Sequence, residues 1–100
     1  MVYSIYYAKE PDFRDFRGEN CNVDPDNLLK THTPVRVIKA ESLDEVFHEC
    51  QGDFWSPNGE ARDLIEALGL QHTSMSVGDV IKDEEGKIFF VASVGFKQLN

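Results

Sequence analysis

The side chains able to do chemistry are few, and their spacing joins none of them into a catalytic set. Three histidines, His32, His48 and His72, and two cysteines, Cys21 and Cys50, are the obvious nucleophiles and metal ligands. No histidine pair has the HExxH spacing that puts two imidazoles on one helix face around zinc. Cys21 and Cys50 have no CxxC partner and no third or fourth cysteine to complete a zinc framework. His48 and Cys50 are two apart, which on a helix turns them to different faces rather than into a nucleophile pair. Serine lacks a GxSxG elbow and an SxxK motif. The glycines at 18, 52, 59, 69, 78, 86 and 95 form neither a Walker loop nor GxGxxG. The expectation is a non-enzymatic protein with no metal and no cofactor.

Charge is the more informative chemistry. Eighteen Asp and Glu face ten Lys and Arg, for a net charge of −8. Such a chain is unsuited to the phosphate backbone of nucleic acids or to anionic membrane surfaces. Asp44, Glu45, Glu49, Glu60, Asp63 and Glu66 fall on the outward faces of two expected helices, with Arg62 the one cation among them. Carboxylates arrayed in this way attract a basic protein and speed its association. They also keep a small protein dissolved. A second candidate is the stretch from Phe54 to Gly59, which holds Trp55, the chain's single tryptophan, and Asn58. Trp55 and Asn58 would form a recognition loop if exposed, or a plug at the end of the core if not. The partner-binding set is therefore Trp55, Asn58 and the six helix carboxylates. The competing expectation is a small-ligand or enzymatic domain in which the Phe54–Gly59 loop works with His72 and Asp79. Self-association through Tyr3, Tyr7 or the Phe89–Val91 face is a third.

The elements that position these residues are legible from periodicity. Val2 to Ala8 alternates as a strand. Phe13 and Phe16 pin a loop between Lys9 and Asn20. Asp24-Pro25-Asp26 starts a helix of one or two turns, stopped by Thr31, His32, Thr33 and Pro34. Val35 to Ala40 is a second strand. Ser42-Leu43-Asp44-Glu45 is a capping box, followed by an inward stripe of Leu43, Val46, Phe47 and Cys50 that ends at Gly52. A second helix starts at Ser56 or Asn58, turns Ala61, Leu64, Ile65 and Leu68 inward, and stops at Gly69. Met75 to Ile81 is extended with a bend at Gly78, and Asp83 to Gly86 is a hairpin turn. Lys87 to Val94 is apolar on both faces, as a covered central strand must be, with Gly95 and Phe96 leading into a tail. The length sets one domain, residues 1–100. The order β, loop, β, α, α, β, β predicts an α+β fold, two short amphipathic helices packed on one face of a small, mostly antiparallel sheet. No apolar run approaches a membrane span and the N-terminal residues lack a signal-peptide pattern, so a cytoplasmic protein with reduced thiols is expected.

Two blocks carry a resemblance. His72-Thr73-Ser74-Met75-Ser76-Val77-Gly78-Asp79-Val80-Ile81 followed by Phe90-Val91-Ala92-Ser93-Val94-Gly95-Phe96 resembles the YodL-like domain. Upstream, Trp55-Ser56-Pro57-Asn58-Gly59-Glu60-Ala61-Arg62 is similar to short proteins of integrating elements. The resemblance covers roughly residues 50–100 and implies an accessory role on a bacterial mobile genetic element. It brings no catalytic residues. Joined to the acidic helices, it leads to one specific expectation: a nucleic-acid mimic that binds a host defence or DNA-binding complex through its carboxylates.

Overall fold

The computed structural model describes residues 1–9, 24–51, 55, 58–59, 61–70, 74–92 and 94–100. Five antiparallel strands make one sheet: β1 (Val2–Ala8), β2 (His32–Lys39), β3 (Val80–Lys82), β4 (Ile88–Val91) and β5 (Phe96–Gln98), in the order β2-β1-β3-β4-β5. A 3₁₀ turn (Pro25–Asn27) runs into α1 (Leu28–Thr31), and α2 (Leu43–Glu49) and α3 (Arg62–Ala67) follow β2. The fold is α+β, as the sequence predicts.

Register explains which residues the sheet buries. Ile5 pairs with Ile81, and Ile81 with Phe89, while Tyr6 pairs with Val80, and Val80 with Phe90. The period of two therefore sorts β1, β3 and β4 into two apolar faces. Tyr3, Ile5, Tyr7, Ile81 and Val91 meet Val46 and Cys50 of the α2 segment and Ile65 of α3. On the other face Val80, Ile88 and Phe90 meet Ala8 and Leu28. Each fully buried aliphatic or aromatic side chain contributes on the order of 1.5–3 kcal/mol, so the sheet gains from both sides. Of the residues considered for self-association, Tyr3, Tyr7 and Val91 are buried within the chain's own core, and Phe89 is half-buried.

The helix ends follow their local chemistry. Asp24 caps the 3₁₀ turn by accepting the Asp26 N–H, with Pro25 in its first turn. Ser42 Oγ accepts the Glu45 N–H at 3.2 Å. The returning Glu45 carboxylate takes the N–H of Glu41, at 3.1 Å, one residue before the cap. At the end of α3, Leu70 N–H donates to Ile65 O and Gly69 N–H to Glu66 O, both at 3.0 Å. That bond pair needs a left-handed residue at position 69, which Gly69 supplies at φ +72°. Leu70 and Ile65 share the core cluster, so the same turn also closes a hydrophobic contact.

Several boundaries differ from expectation. Strand β2 begins at His32, three residues before Val35, and includes Pro34. Proline is tolerated because β2 lies at the sheet edge, and the register slips between Ile5 and Tyr6, whose partners are Arg36 and Pro34, leaving Val35 as a bulge. Met75 to Asp79 is irregular, so β3 is only three residues long. The strand expected to reach Val94 stops at Val91, and Val94 is 89 % exposed at a turn. The expected tail is β5, where Phe96 pairs with Val91. Asn100 secures this end: its Oδ1 accepts the Ile88 N–H and its Nδ2 donates to Gly86 O. Helix α3 begins at Arg62, later than either expected start, and Leu64 is exposed rather than inward. The Ser56 start, the Phe13–Phe16 turn, Gly52, Phe54 and Cys21 lie outside the described residues.

Candidate functional site

Three regions bear on function: the node at Gly78-Asp79, the Trp55 environment, and the exposed carboxylates. At the node Asp79 has no exposed surface. Its Oδ1 accepts the Ala8 N–H at 2.9 Å and its Oδ2 the Ser76 N–H at 2.8 Å. Gly78, at φ +100°, donates its N–H to Val91 O, and Val91 N–H donates to Asp79 O, each at 2.9 Å. The Gly78 carbonyl faces His32 Nε2 at 2.7 Å, and Thr31 Oγ1 lies 2.8 Å from Nδ1. A carbonyl only accepts, so Nε2 carries the proton, and in the neutral ring Nδ1 accepts from the threonine hydroxyl. Two residues thus fasten the end of β1, the start of β2 and the end of β4. The alternative reading asked Asp79 to act as an acid beside a pocket. Its burial and backbone partners make it a structural carboxylate instead. His72 lies outside the described residues.

Cys50 and Tyr7 adjoin this node. The Tyr7 hydroxyl donates to Cys50 O at 3.4 Å, and Met75 N–H donates to the same carbonyl at 3.0 Å. Burial, reinforced by Asp79 and Glu49 against the opposing Arg36, pushes the Cys50 thiol up to about 11. A thiol held protonated in this way is a core residue and a poor nucleophile. Burial also raises the Tyr7 phenol, with Cys50 and Asp79 adding to the shift and Arg36 opposing it. Tyr3 is raised by burial first, then by Asp83, Glu41, Glu84 and Glu45.

Trp55 is half-buried and packs against the core cluster of the helix-covered face. The Arg36 guanidinium carbon sits 4.7 Å from its ring centroid. Arg36 Nη1 is buried and has no hydrogen-bond partner among the described residues, and the indole face offsets part of that desolvation. The plug role weighed for Trp55 agrees with this packing. Asn58 is exposed next to Gly59. Nothing in sequence spacing marks Arg36 as the partner of Trp55, because the contact joins an edge strand to a distant segment.

The helix acids lie where periodicity puts them. Asp44, Glu45 and Glu49 on α2, and Asp63 and Glu66 on α3, are all exposed, and Glu60 lies outside the described residues. The electrostatics around Tyr3 add three carboxylates that periodicity does not single out: Glu41, Asp83 and Glu84 join Glu45 in raising its phenol. Glu84 also accepts the Val2 N–H, fastening the β3–β4 turn to the start of β1. That turn is built by Asp83, whose Oδ1 takes the N–H groups of Glu85 and Lys87, both at 2.9 Å. Lys39, Lys82, Lys87 and Lys97 lie on strands or turns, so α2 and α3 carry five described carboxylates against Arg62.

Among the described residues no group of three or more His, Cys, Asp or Glu is arranged to hold a metal ion. No described helix is long and apolar enough to cross a membrane. These features define an α+β domain with an acidic helical surface. No protein family, curated protein or solved structure matches the chain.

Two outcomes follow from the node and its neighbours. Asp79→Ala leaves the buried Ala8 N–H and the partly buried Ser76 N–H without their acceptors and lowers stability by about 3 kcal/mol. Asp79→Asn, which keeps one acceptor oxygen, loses most of that amount; a urea midpoint equal to wild type for the Asn variant would contradict the two-acceptor role. The second concerns alkaline pH. Cys50, Tyr7 and Tyr3 all bind their protons more tightly folded than unfolded. The Cys50 contribution is complete below the ordinary thiol value of 9.0 and is lost as pH climbs toward the folded thiol's value near 11, while those of Tyr7 and Tyr3 are complete below the ordinary phenol value of 10.0 and are lost only above it. The slope is at most about 1.4 kcal/mol per pH unit for each group. Urea midpoints measured at pH 7, 9 and 10.5 should hold between the first two and fall at the third.

Proposed function

We propose that this protein is a small, non-enzymatic, acidic protein-binding module whose helix carboxylates stand in for nucleic-acid phosphates on a basic partner. The observation that supports the reading is the acidic outer face of two helices: α2 and α3 present Asp44, Glu45, Glu49, Asp63 and Glu66, all exposed, with Arg62 as the one Lys or Arg among their described residues. A field of one sign on a rigid surface steers a basic partner and disfavours acidic ones. Trp55 and Asn58, from the segment leading into α3, complete the proposed surface, and the sequence adds Glu60, which lies outside the described residues. The partner class is a DNA-binding or defence complex of a bacterial host, in keeping with an accessory role on a mobile genetic element and a cytoplasmic setting. The burial of Asp79 against backbone, and of Cys50 as a protonated thiol, agrees with a protein that binds rather than catalyses.

Immobilised protein should retain basic nucleic-acid-binding proteins from bacterial lysate at low salt and release them at high salt. A variant carrying Glu49→Gln, Glu60→Gln, Asp63→Asn and Glu66→Gln should lose that retention while keeping its circular dichroism. Equal retention by both proteins would end this reading.

A further inference from the structure

Between α2 and the β4–β5 turn lies an open groove of about 240 Å³, lined by Asp44, Phe47, Val91, Ala92, Gly95 and Phe96. Its volume is below the roughly 300–1,000 Å³ usual for small-molecule sites, a size suited to one side chain of a larger partner. The aromatic walls are already set: Phe47 and Phe96 stand edge to face with centroids 6.5 Å apart at 74°. Val91 is buried behind them. Asp44 is exposed in the first turn of α2, so its carboxylate is unhindered by burial. Among the described residues no cation lines the groove, and Lys97, which pairs with Phe90, belongs to the opposite face of the sheet.

A slot of mixed polar and apolar lining, with aromatic walls and one carboxylate side chain, is complementary to a long side chain with an apolar stem and a cationic head. Arginine fits better than lysine. Its planar guanidinium stacks on an aromatic face and pairs with a carboxylate at the same time, and it is less costly to strip of water. The chain shows the first of these contacts within itself, where Arg36 lies over Trp55. The net charge of −8 favours delivery of a basic segment to this site.

We infer that the Asp44–Phe47–Phe96 groove is the anchoring site for an arginine side chain of the basic protein partner. The inference rests on the acidic-module reading and deepens it, by naming one residue type and one place where that partner is gripped. The arginine stem lies along Phe47, Phe96 and Val91, and its guanidinium meets the Asp44 carboxylate. The remaining helix acids supply attraction at longer range, and this groove supplies position.

The test is a nitrogen-15 NMR titration of the whole chain with acetyl-Arg-Gly-Arg-Gly-Arg-amide, and with the same peptide carrying neutral citrulline for arginine. The arginine peptide should shift the amides of Phe47, Val91, Gly95 and Phe96, and the citrulline peptide should not. Asp44→Asn should weaken the arginine peptide about two- to fivefold, the range of an exposed ion pair. Phe96→Leu, which keeps an apolar wall without its π face, should weaken it further and leaves a second variant if one misfolds. Shifts confined to the Asp63 and Glu66 face would overturn the groove while leaving the acidic module standing. No shift anywhere, or equal shifts from the citrulline peptide, would overturn it too. Arginine binding in the groove by a protein that shows no salt-sensitive capture would instead remove only the broader reading.

Discussion

The carboxylate of Asp79, accepting the backbone N–H groups of Ala8 and Ser76 inside the protein, is the interaction on which the rest of the structure depends. A buried charge is costly unless its oxygens are filled, and here the donors come from the end of β1 and from the irregular segment before β3. The neighbouring Gly78 is the other half of the fastening. Its positive φ turns the chain so that its N–H reaches Val91 of β4 and its carbonyl reaches His32 of β2. Strand β3, only three residues long and flanked by β1 and β4, has few ladder hydrogen bonds of its own. The polar node supplies the register that so short a strand cannot.

That fastening has a consequence for the surface. With β1, β3 and β4 locked together, one face is free to carry Val46, Cys50 and Ile65 from the helical segments, and their opposite sides must face water. Short amphipathic helices on a fixed sheet hold their outer side chains at set spacings, which is what distinguishes a charged recognition surface from a merely soluble one. The edges are managed as well. Strand β2 ends the sheet with Pro34 and a bulge, and β5 ends it with three residues that include an exposed lysine. Both devices discourage strand-to-strand pairing at the sheet edges.

Local chemistry was readable wherever the deciding contacts are close in sequence. The Asp24 and Ser42 caps, the Gly69 stop, the Asp83 turn and the Val46–Cys50 stripe follow from residues two to five apart. What periodicity missed depends on distant partners. His32 reads as a helix stop because its ligand, the Gly78 carbonyl, is 46 residues away. Phe96 reads as tail because only pairing with Val91 makes it a strand. Spacing alone turns Leu64 inward, yet α3 starts late and the helix leaves that position exposed. At the candidate site the exposed acids of α2 and α3 were legible. The Arg36–Trp55 stack, the Phe47–Phe96 groove and the carboxylates around Tyr3 were not, since each joins elements that sequence cannot bring together.

We propose a rigid acidic decoy: a sheet locked by a buried carboxylate, helices that display negative charge, and a slot that takes one basic side chain, so that the protein and nucleic acid compete for the same surface of a partner. Competition binding tests this most directly. A partner retained by the immobilised protein is challenged with increasing duplex DNA at fixed ionic strength, and the bound fraction is read. The account predicts that DNA displaces the partner completely, with neither a plateau nor a ternary complex. A partner that stays on the protein while also binding DNA would contradict it.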